Sequence, residues 1–274
     1  MSTELNPQAR EMADESMVRN LAAQASAIWP QELPLLDRYR LPDGARLLDA
    51  GCGPGEISAR LADRFPGAAV LGVDVEEGHL ALARRRHAAL APRLAFERRS
   101  VYGLELPAGS FDLVVCRHVL QAIPHADRVL AELTRVLRPG GWMHLLAEDY
   151  GMIWFGSGRL DAADFWREVT AGVAASAGSD PFVGRKAFGL LHALGLEDLR
   201  VDHVLVDTLR VPRETFAGIW TAWRDGYSDF LVSHSRFSRQ AVVAHFEDQL
   251  ATLRDPAAYA CWQLPVVSGR APAG

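Results

Sequence analysis

Short apolar runs alternate with helical patterns over residues 41–150. Apolar, β-branched runs predict strands near residues 46–50, 69–74, 94–97, 111–116 and 142–148. Between them, three- and four-residue apolar spacing predicts helices near residues 56–65, 77–91 and 125–137. Uninterrupted apolar strands separated by helices are typical of a parallel sheet with right-handed crossovers. Such sheets bind ligands at the carboxyl ends of their strands.

The N-terminal segment precedes this alternation. Apolar residues at helical spacing predict a helix over residues 11–29, and Pro30 and Pro34 predict its end. A second short helix is expected at residues 32–39. We interpret residues 1–40 as a helical lid on the core.

The pattern changes after residue 150. Helices are predicted near residues 161–178, 184–194, 213–231 and 236–253, and strands near residues 199–209 and 259–267. We assign residues 151–274 to helical cap insertions and a closing strand hairpin, and residues 41–150 to the core. Helices inserted between two closing strands commonly cover a substrate pocket, and a dimerisation surface is the alternative.

A glycine-rich turn follows the first strand, reading Gly51-Cys52-Gly53-Pro54-Gly55. Glycines permit close approach of the backbone to a ligand and positive φ. Asp74 ends the second strand, at the usual distance for an acid that accepts hydrogen bonds from ribose hydroxyls. These features predict a nucleoside site.

The residues around the turn distinguish between nucleosides. Glu56 stands where a dinucleotide fingerprint has its third glycine, and Asp49 precedes the turn. Both carboxylates disfavour a pyrophosphate and favour a ligand with a cationic end. S-adenosylmethionine, which carries an ammonium and a sulfonium, fits this requirement, and the two segments resemble motifs I and II of class I S-adenosylmethionine-dependent methyltransferases.

The resemblance covers about residues 41–150. Residues 110–116 resemble the fourth strand of that family, and residues 135–141 resemble the turn before its fifth strand. It implies an α/β, Rossmann-like, doubly wound, seven-stranded, mostly parallel sheet with an antiparallel last strand, plus a helical cap. It also implies the cofactor S-adenosyl-L-methionine and the product S-adenosyl-L-homocysteine. Ser100 stands where many relatives place an acid near the adenine. The implied cofactor-binding residues are Asp49, Gly51, Gly53, Gly55, Asp74, Val75, His79, Ser100, Val101 and Arg117.

His118 follows the fourth strand and is our candidate catalytic residue. Methyl transfer depends chiefly on alignment and exclusion of water, and it needs a base only when the acceptor carries a proton of high pKa. Histidine is suited to accept a proton near neutral pH. The alternative is a histidine that hydrogen-bonds the backbone of the next helix.

Candidate substrate contacts come from strand ends and from the cap. Five of the seven tryptophans follow residue 150, which favours an aromatic pocket, although core packing explains them equally well. Two acids, Glu148 and Asp149, follow the fifth strand, and either could contact substrate, act as a base or cap a helix. We assign substrate binding to Gln121, Asp149, Tyr150, Trp154, Trp220 and Trp223.

The composition limits the kinds of ligand and partner that we expect the protein to bind. A net charge of −5 gives nucleic-acid binding no electrostatic support. The three cysteines form neither a metal-binding spacing nor an even disulfide set, so no metal is expected. No apolar stretch reaches membrane-spanning length and no signal core is present, so we expect a cytoplasmic protein without membrane contact. Lys186 is the single lysine among 29 basic residues, which points to a bacterial coding bias.

The favoured function is methyl transfer to a small-molecule O or N acceptor, with aromatic or apolar acceptors favoured by the cap. We expect a monomer or homodimer. One alternative is a non-catalytic S-adenosylmethionine-binding regulator or partner subunit, which would bind the cofactor without turnover. The other is a nicotinamide-dependent oxidoreductase on a similar fold, which the missing third glycine disfavours.

Overall fold

Eight strands form one mixed sheet in the computed structural model, which describes residues 15–273. The strands are β1 Arg46–Ala50, β2 Ala69–Asp74, β3 Leu94–Arg98, β4 Phe111–Arg117, β5 Leu137–Leu146, β6 Ile153–Phe155, β7 Glu197–Asp207 and β8 Ala260–Arg270. The helices are α1 Glu15–Leu36, α2 Glu56–Arg64, α3 Glu77–Arg86, α4 Ala126–Val136, α5 Ala162–Ala177, α6 Ala187–Ala193, α7 Arg213–Ser233 and α8 Arg239–Arg254. No helix within these residues has both the length and the apolar character needed to cross a membrane.

The strand order is β3-β2-β1-β4-β5-β8-β6, with β7 on the other side of β8. The first five strands pair in parallel, and β8 runs antiparallel to β5, β6 and β7. The predicted doubly wound sheet with an antiparallel last strand is therefore confirmed. The expected seven strands become eight because β8 extends past β5, and the short β6 pairs with the backbone groups that would otherwise form an exposed edge.

The central strands are apolar because helices cover both faces of the sheet. Leu47, Leu48, Val114 and Met143 expose no surface. Burial of this kind stabilises the sheet and holds the carboxyl ends of β1, β2 and β4 in a fixed arrangement. The glycine turn and Asp74 lie at those ends.

Helix α1 differs from the prediction. It continues through Pro30 and Pro34, so the expected break and the separate helix over residues 32–39 were wrong, and a short 3₁₀ turn follows at Asp37–Tyr39. Residues 11–14 of the predicted helix lie outside the described residues. Interior prolines are costly in a helix, and tertiary contacts offset the cost here. Ile28 is fully buried against the cap, and the Gln31 side chain pairs with both backbone groups of Leu205 on the free edge of β7.

The helix predicted at residues 184–194 is the shorter α6, and the other three predicted after residue 150 are present as α5, α7 and α8. Together with α1 they enclose an apolar cluster beside β6, β7 and β8. The cluster contains four tryptophans, namely Trp166, Trp220, Trp223 and Trp262. The cap is therefore packed onto the sheet at its β8 side, next to the carboxyl ends of the parallel strands.

Candidate functional site

A pocket opens where the carboxyl ends of β1, β2 and β4 meet α1 and α7. It combines residues from the glycine turn, the strand ends and the cap. The sequence-predicted residues that line it are Gly51, Gly53, Asp74, Val75, His79, Ser100, Val101, Arg117, His118, Gln121, Tyr150 and Trp223. Residues 15–273 contain no cluster of His, Cys, Asp and Glu placed to hold a metal ion.

Both the backbone conformation and the packing require glycine at the two outer positions of the turn, Gly51 and Gly55. Gly51 and Gly55 have φ angles of 79° and 82°, which residues other than glycine rarely adopt. A Cβ at Gly51 would lie 2.3 Å from Val119 Cγ2, and one at Gly55 would lie 2.7 Å from Phe96 Cζ. Gly55 does not line the pocket, so its role in this structure is to let the start of α2 pack on β3.

Asp74 is held at the end of β2 by the backbone. Its Oδ2 accepts a hydrogen bond from the Gly53 amide at 2.8 Å, and its Oδ1 accepts one from the Glu76 amide at 3.0 Å. Each carboxylate oxygen has a second lone pair. The fixed carboxylate can therefore still accept hydrogen bonds from two hydroxyls of a ligand.

Asp49 lies beneath the turn, outside the main pocket. Its Oδ2 accepts a hydrogen bond from Ser58 Oγ at 2.6 Å, which links β1 to α2. Burial raises the pKa of Asp49 to about 6, although the Ser58 hydrogen bond opposes the shift. Asp49 lines a smaller neighbouring pocket, whose lining also includes Cys52 and Arg117.

Arg117 forms a buried ion pair that the sequence did not predict. Its Nε donates to Glu32 Oε1 of α1 at 2.8 Å, and both side chains are almost fully buried. Burial alone would raise the pKa of Glu32, but the Arg117 charge and the hydrogen bond from His144 lower it to about 2. One terminal guanidinium nitrogen of Arg117 is buried without a partner among the described residues, next to the glycine turn.

His118 is oriented by a carboxylate. It follows β4 with a positive φ of 55°, and its Nδ1 donates to Glu148 Oε1 at 2.5 Å. Gln121 Nε2 donates to the same oxygen at 3.3 Å. His118 Nε2 and Glu148 Oε2 are buried without partners among residues 15–273, and both residues line the pocket. This hydrogen bond places the Nδ1 proton towards Glu148 and leaves Nε2 as the acceptor nitrogen.

An aromatic wall adjoins Glu148. Tyr150, Trp223 and Tyr227 line the pocket, and the rings of Tyr150 and Trp223 lie 5.9 Å apart. Burial and the Glu148 charge raise the pKa of both tyrosines, so their hydroxyls stay neutral. The same three residues border a second, apolar pocket among the cap helices, whose other lining residues include Trp166, Val169, Val173, Phe230, Leu231 and Phe246.

Three predicted substrate contacts lie outside the pocket. Asp149 is buried and accepts hydrogen bonds from Arg185 Nε at 2.5 Å and from a terminal nitrogen of that guanidinium at 2.6 Å. Trp154 is 54% exposed on β6, against Tyr259. Trp220 is fully buried and donates its indole N–H to Gln249 at 2.7 Å, because α7 turns it towards the core while Trp223 reaches the pocket.

Sequence reasoning missed the contribution of α1. Met17, Asn20, Leu21 and Gln24 line the pocket, and Asn20 and Gln24 are each 3% exposed. Their side-chain oxygens have no partner among the described residues. Two amides one turn apart on the apolar face of a predicted helix were the available signal.

The chain resembles known proteins over its core. Residues 47–141 match the family described as "Methyltransferase domain". The trans-aconitate 2-methyltransferase of Methylobacterium nodulans is 43% identical over 115 residues, which are 42% of this chain and 43% of that protein. The chain thus spans less than half the length of that relative.

Solved structures share the fold over more of the chain. The Haemonchus contortus phosphoethanolamine N-methyltransferase 2, bound to phosphomonomethylethanolamine and S-adenosylhomocysteine, gives a TM-score of 0.61 at 20% identity. The match covers 99% of this chain and 61% of that one. The structure of the [4+2]-cyclase SpnF gives a TM-score of 0.56 at 24% sequence identity. That match covers 88% of this chain and 81% of the cyclase chain. The fold alone therefore does not specify one reaction.

Proposed function

We propose that the chain is a class I S-adenosylmethionine-dependent methyltransferase and that it methylates a small, uncharged, apolar or aromatic acceptor, at oxygen or nitrogen. The observation that carries this proposal is the His118–Glu148 pair. It lies in one pocket with Asp74 and the glycine turn on one side and an aromatic wall on the other.

The donor site is assigned to the strand ends. Asp74 would accept hydrogen bonds from the ribose hydroxyls, and Val75, His79, Ser100 and Val101 would surround the adenine. Gly51 and Gly53 leave room for the methionyl chain, and the free nitrogen of Arg117 suits its carboxylate. S-adenosylmethionine, when bound, supplies a methyl group already activated by the sulfonium.

His118 is assigned the proton-accepting role. With a hydroxyl acceptor, His118 Nε2 would accept the hydroxyl proton that is released when the oxygen takes up the methyl group supplied by the bound donor. The resulting imidazolium lies against the Glu148 carboxylate, which stabilises the positive charge. Gln121 holds the same carboxylate oxygen. A neutral amine acceptor would not need this step.

The acceptor is inferred from the charges and the apolar surface around the pocket. The two arginines that line it, Arg99 and Arg117, both hold protein carboxylates. Trans-aconitate, named for the relative from Methylobacterium nodulans, is a tricarboxylate and would leave negative charges without partners. Tyr150 and Tyr227 line both this pocket and the apolar pocket among the cap helices, which favours an acceptor with an apolar body on that side.

Each part of the chain has its own role in the proposed reaction. Residues 41–150 hold the donor, α1 and the cap helices cover it, and residues around Trp223 shape the acceptor site. The side chains of Asn20 and Gln24 make α1 a wall of the pocket as well as a cover.

The test is an activity screen with methyl-labelled S-adenosylmethionine. Phenols, apolar alcohols, apolar amines and trans-aconitate are incubated with the protein, and products one methylene heavier are identified by mass spectrometry. We expect labelled phenol or alcohol products. Methylation of trans-aconitate alone would refute the acceptor class, and binding of the cofactor with no turnover on any acceptor would favour the non-catalytic alternative.

A further inference from the structure

A cavity of about 520 Å³, separate from the candidate active site and from the apolar pocket among the cap helices, lies on the face of the sheet that α1 covers. It is bounded by the turn after α1 and by β5, β7 and β8. Tyr39 and Arg40 line it from the turn, and Trp142, Arg200 and Ser268 line it from the strands. Arg200 and Ser268 are register partners in β7 and β8. No residue lines both this cavity and the candidate active site.

The cavity carries unbalanced positive charge. Arg40 and Arg200 line it, and neither side chain has a hydrogen bond or ion pair within residues 15–273. Arg38 and two carboxylates, Asp37 and Asp202, line the cavity as well. Both carboxylates are already neutralised, because Asp202 is paired with Arg38 at 2.8 Å and Asp37 with Arg64 at 2.6 Å. Two free guanidinium groups at one cavity favour an anionic ligand, and planar carboxylates match their hydrogen-bonding geometry.

The remaining surface is aromatic. Tyr39 and Trp142 stack with ring centroids 5.1 Å apart, and both line the cavity. Trp142 is partly exposed, whereas Tyr39 is 6% exposed. The Arg270 guanidinium carbon also lies over the Trp142 ring, 5.9 Å from its centroid, so the edge of the indole is the part left for a ligand. An indole beside cationic groups binds flat rings that carry a negative group.

A buried polar chain connects this cavity to the donor pocket. The Tyr39 hydroxyl donates to His144 Nδ1 at 2.5 Å, and His144 Nε2 donates to Glu32 Oε1 at 3.0 Å. Glu32 Oε1 also accepts from Arg117 Nε at 2.8 Å. All four side chains are buried, so each hydrogen bond is costly to leave unmade. The chain gives a route by which a shift of Tyr39 can alter the hydrogen bonds of Glu32 and Arg117.

We propose that this cavity binds a small planar aromatic carboxylate and that its occupancy changes the affinity of the donor pocket. The carboxylate lies between Arg40 and Arg200, and the ring packs against the exposed edge of Trp142 beside Tyr39. By linkage, the donor product must change the affinity for the aromatic carboxylate by the same factor. The coupling rests on the proposed function, whereas the site itself does not.

Calorimetric titration of the full chain with benzoate tests the site. We expect benzoate to bind about tenfold more tightly than acetate or inorganic phosphate because of the ring contact. The double variant Arg40→Ala, Arg200→Ala is expected to lose at least about tenfold in benzoate affinity. Arg85→Ala, which removes an exposed arginine on α3, is the control and should bind like the wild type.

Three results would overturn the site: no benzoate binding up to about 10 mM, equal affinity for benzoate and acetate, or benzoate binding unaffected by the double variant.

The coupling is tested by titrating S-adenosylhomocysteine with and without saturating benzoate. We expect an affinity change of about fivefold, abolished by Tyr39→Phe while benzoate still binds. An unchanged affinity would refute the coupling. A protein that binds benzoate but not S-adenosylhomocysteine would instead contradict the proposed function.

Discussion

Replacing Glu148 by glutamine tests the proposed base most directly. The change keeps the size of the side chain and removes the negative charge that lies 2.5 Å from His118 Nδ1. The two side chains are 3% and 7% exposed, so solvent screens their interaction little. The hydrogen-bonding amide remains, and only the stabilisation of the imidazolium is lost.

The size of the effect follows from the geometry. Opposite charges about 4 Å apart interact by roughly 4 kcal/mol at an effective dielectric constant of 20. If half to all of this energy acts in the transition state, the barrier for a hydroxyl acceptor rises by about 2–4 kcal/mol. The expected loss in kcat is therefore about 30- to 1000-fold. A neutral amine acceptor should lose much less.

The assay compares kcat for a phenol and an amine at saturating donor, together with the Kd of S-adenosylhomocysteine. Since this product carries no sulfonium charge, its Kd should change by less than about threefold. Asp149→Asn is the matched control, because it removes the adjacent buried carboxylate, whose partner Arg185 lies away from the pocket. It should lower the melting temperature and leave kcat near the wild-type value. An unchanged kcat for Glu148→Gln with a phenol would refute the assignment.

Three further predictions concern the donor site, stability and the cap. Asp74→Ala should weaken S-adenosylhomocysteine binding by about 30- to 1000-fold, the equivalent of 2–4 kcal/mol from lost ribose hydrogen bonds; calorimetry measures it, with circular dichroism as a control for folding, and equal affinities would remove Asp74 from the site. Asp49 has a raised pKa of about 6 in the folded protein against an ordinary value of 3.8, so the unfolded chain loses this proton first as the pH rises. Denaturant titrations should show that the free energy of unfolding of the wild type falls by about 3 kcal/mol relative to Asp49→Asn between about pH 3 and pH 7, and a constant difference would contradict the shift. Trp220→Phe should lower the melting temperature without changing the KM for the acceptor, whereas Trp223→Phe should raise that KM; the reverse pattern would mean that α7 is rotated differently at the pocket.

Local signals in the sequence were sufficient for every strand except the short β6, for the glycine turn and for the position of Asp74. Each depends on residues close together in the chain, and a buried parallel strand followed by glycines has few other interpretations. The same locality explains the error in α1. A proline removes a hydrogen bond within one turn, but whether the helix ends there depends on contacts such as that of Gln31 with β7, which the sequence pattern does not contain.

The ion pairs of the site could not be predicted in the same way. Glu32 and Arg117 are 85 positions apart, and His118 and Glu148 are 30 positions apart. Their meeting depends on the order of the strands and on where α1 crosses them. Trp220 and Trp223 show a similar limit on a smaller scale. Both are buried in one apolar cluster, and a rotation of part of a turn decides that only Trp223 also reaches the pocket.

The position of β8 in the sheet has a consequence for synthesis and folding. This strand is the latest of the described strands in the chain, yet it lies inside the sheet and pairs with β5, β6 and β7. The pairing of His144 with Ser268 must wait until the intervening cap helices have left the ribosome. Until then β5 and β7 lack their shared partner strand and have unpaired edges, and such late, long-range pairing slows folding and exposes the nascent chain to aggregation.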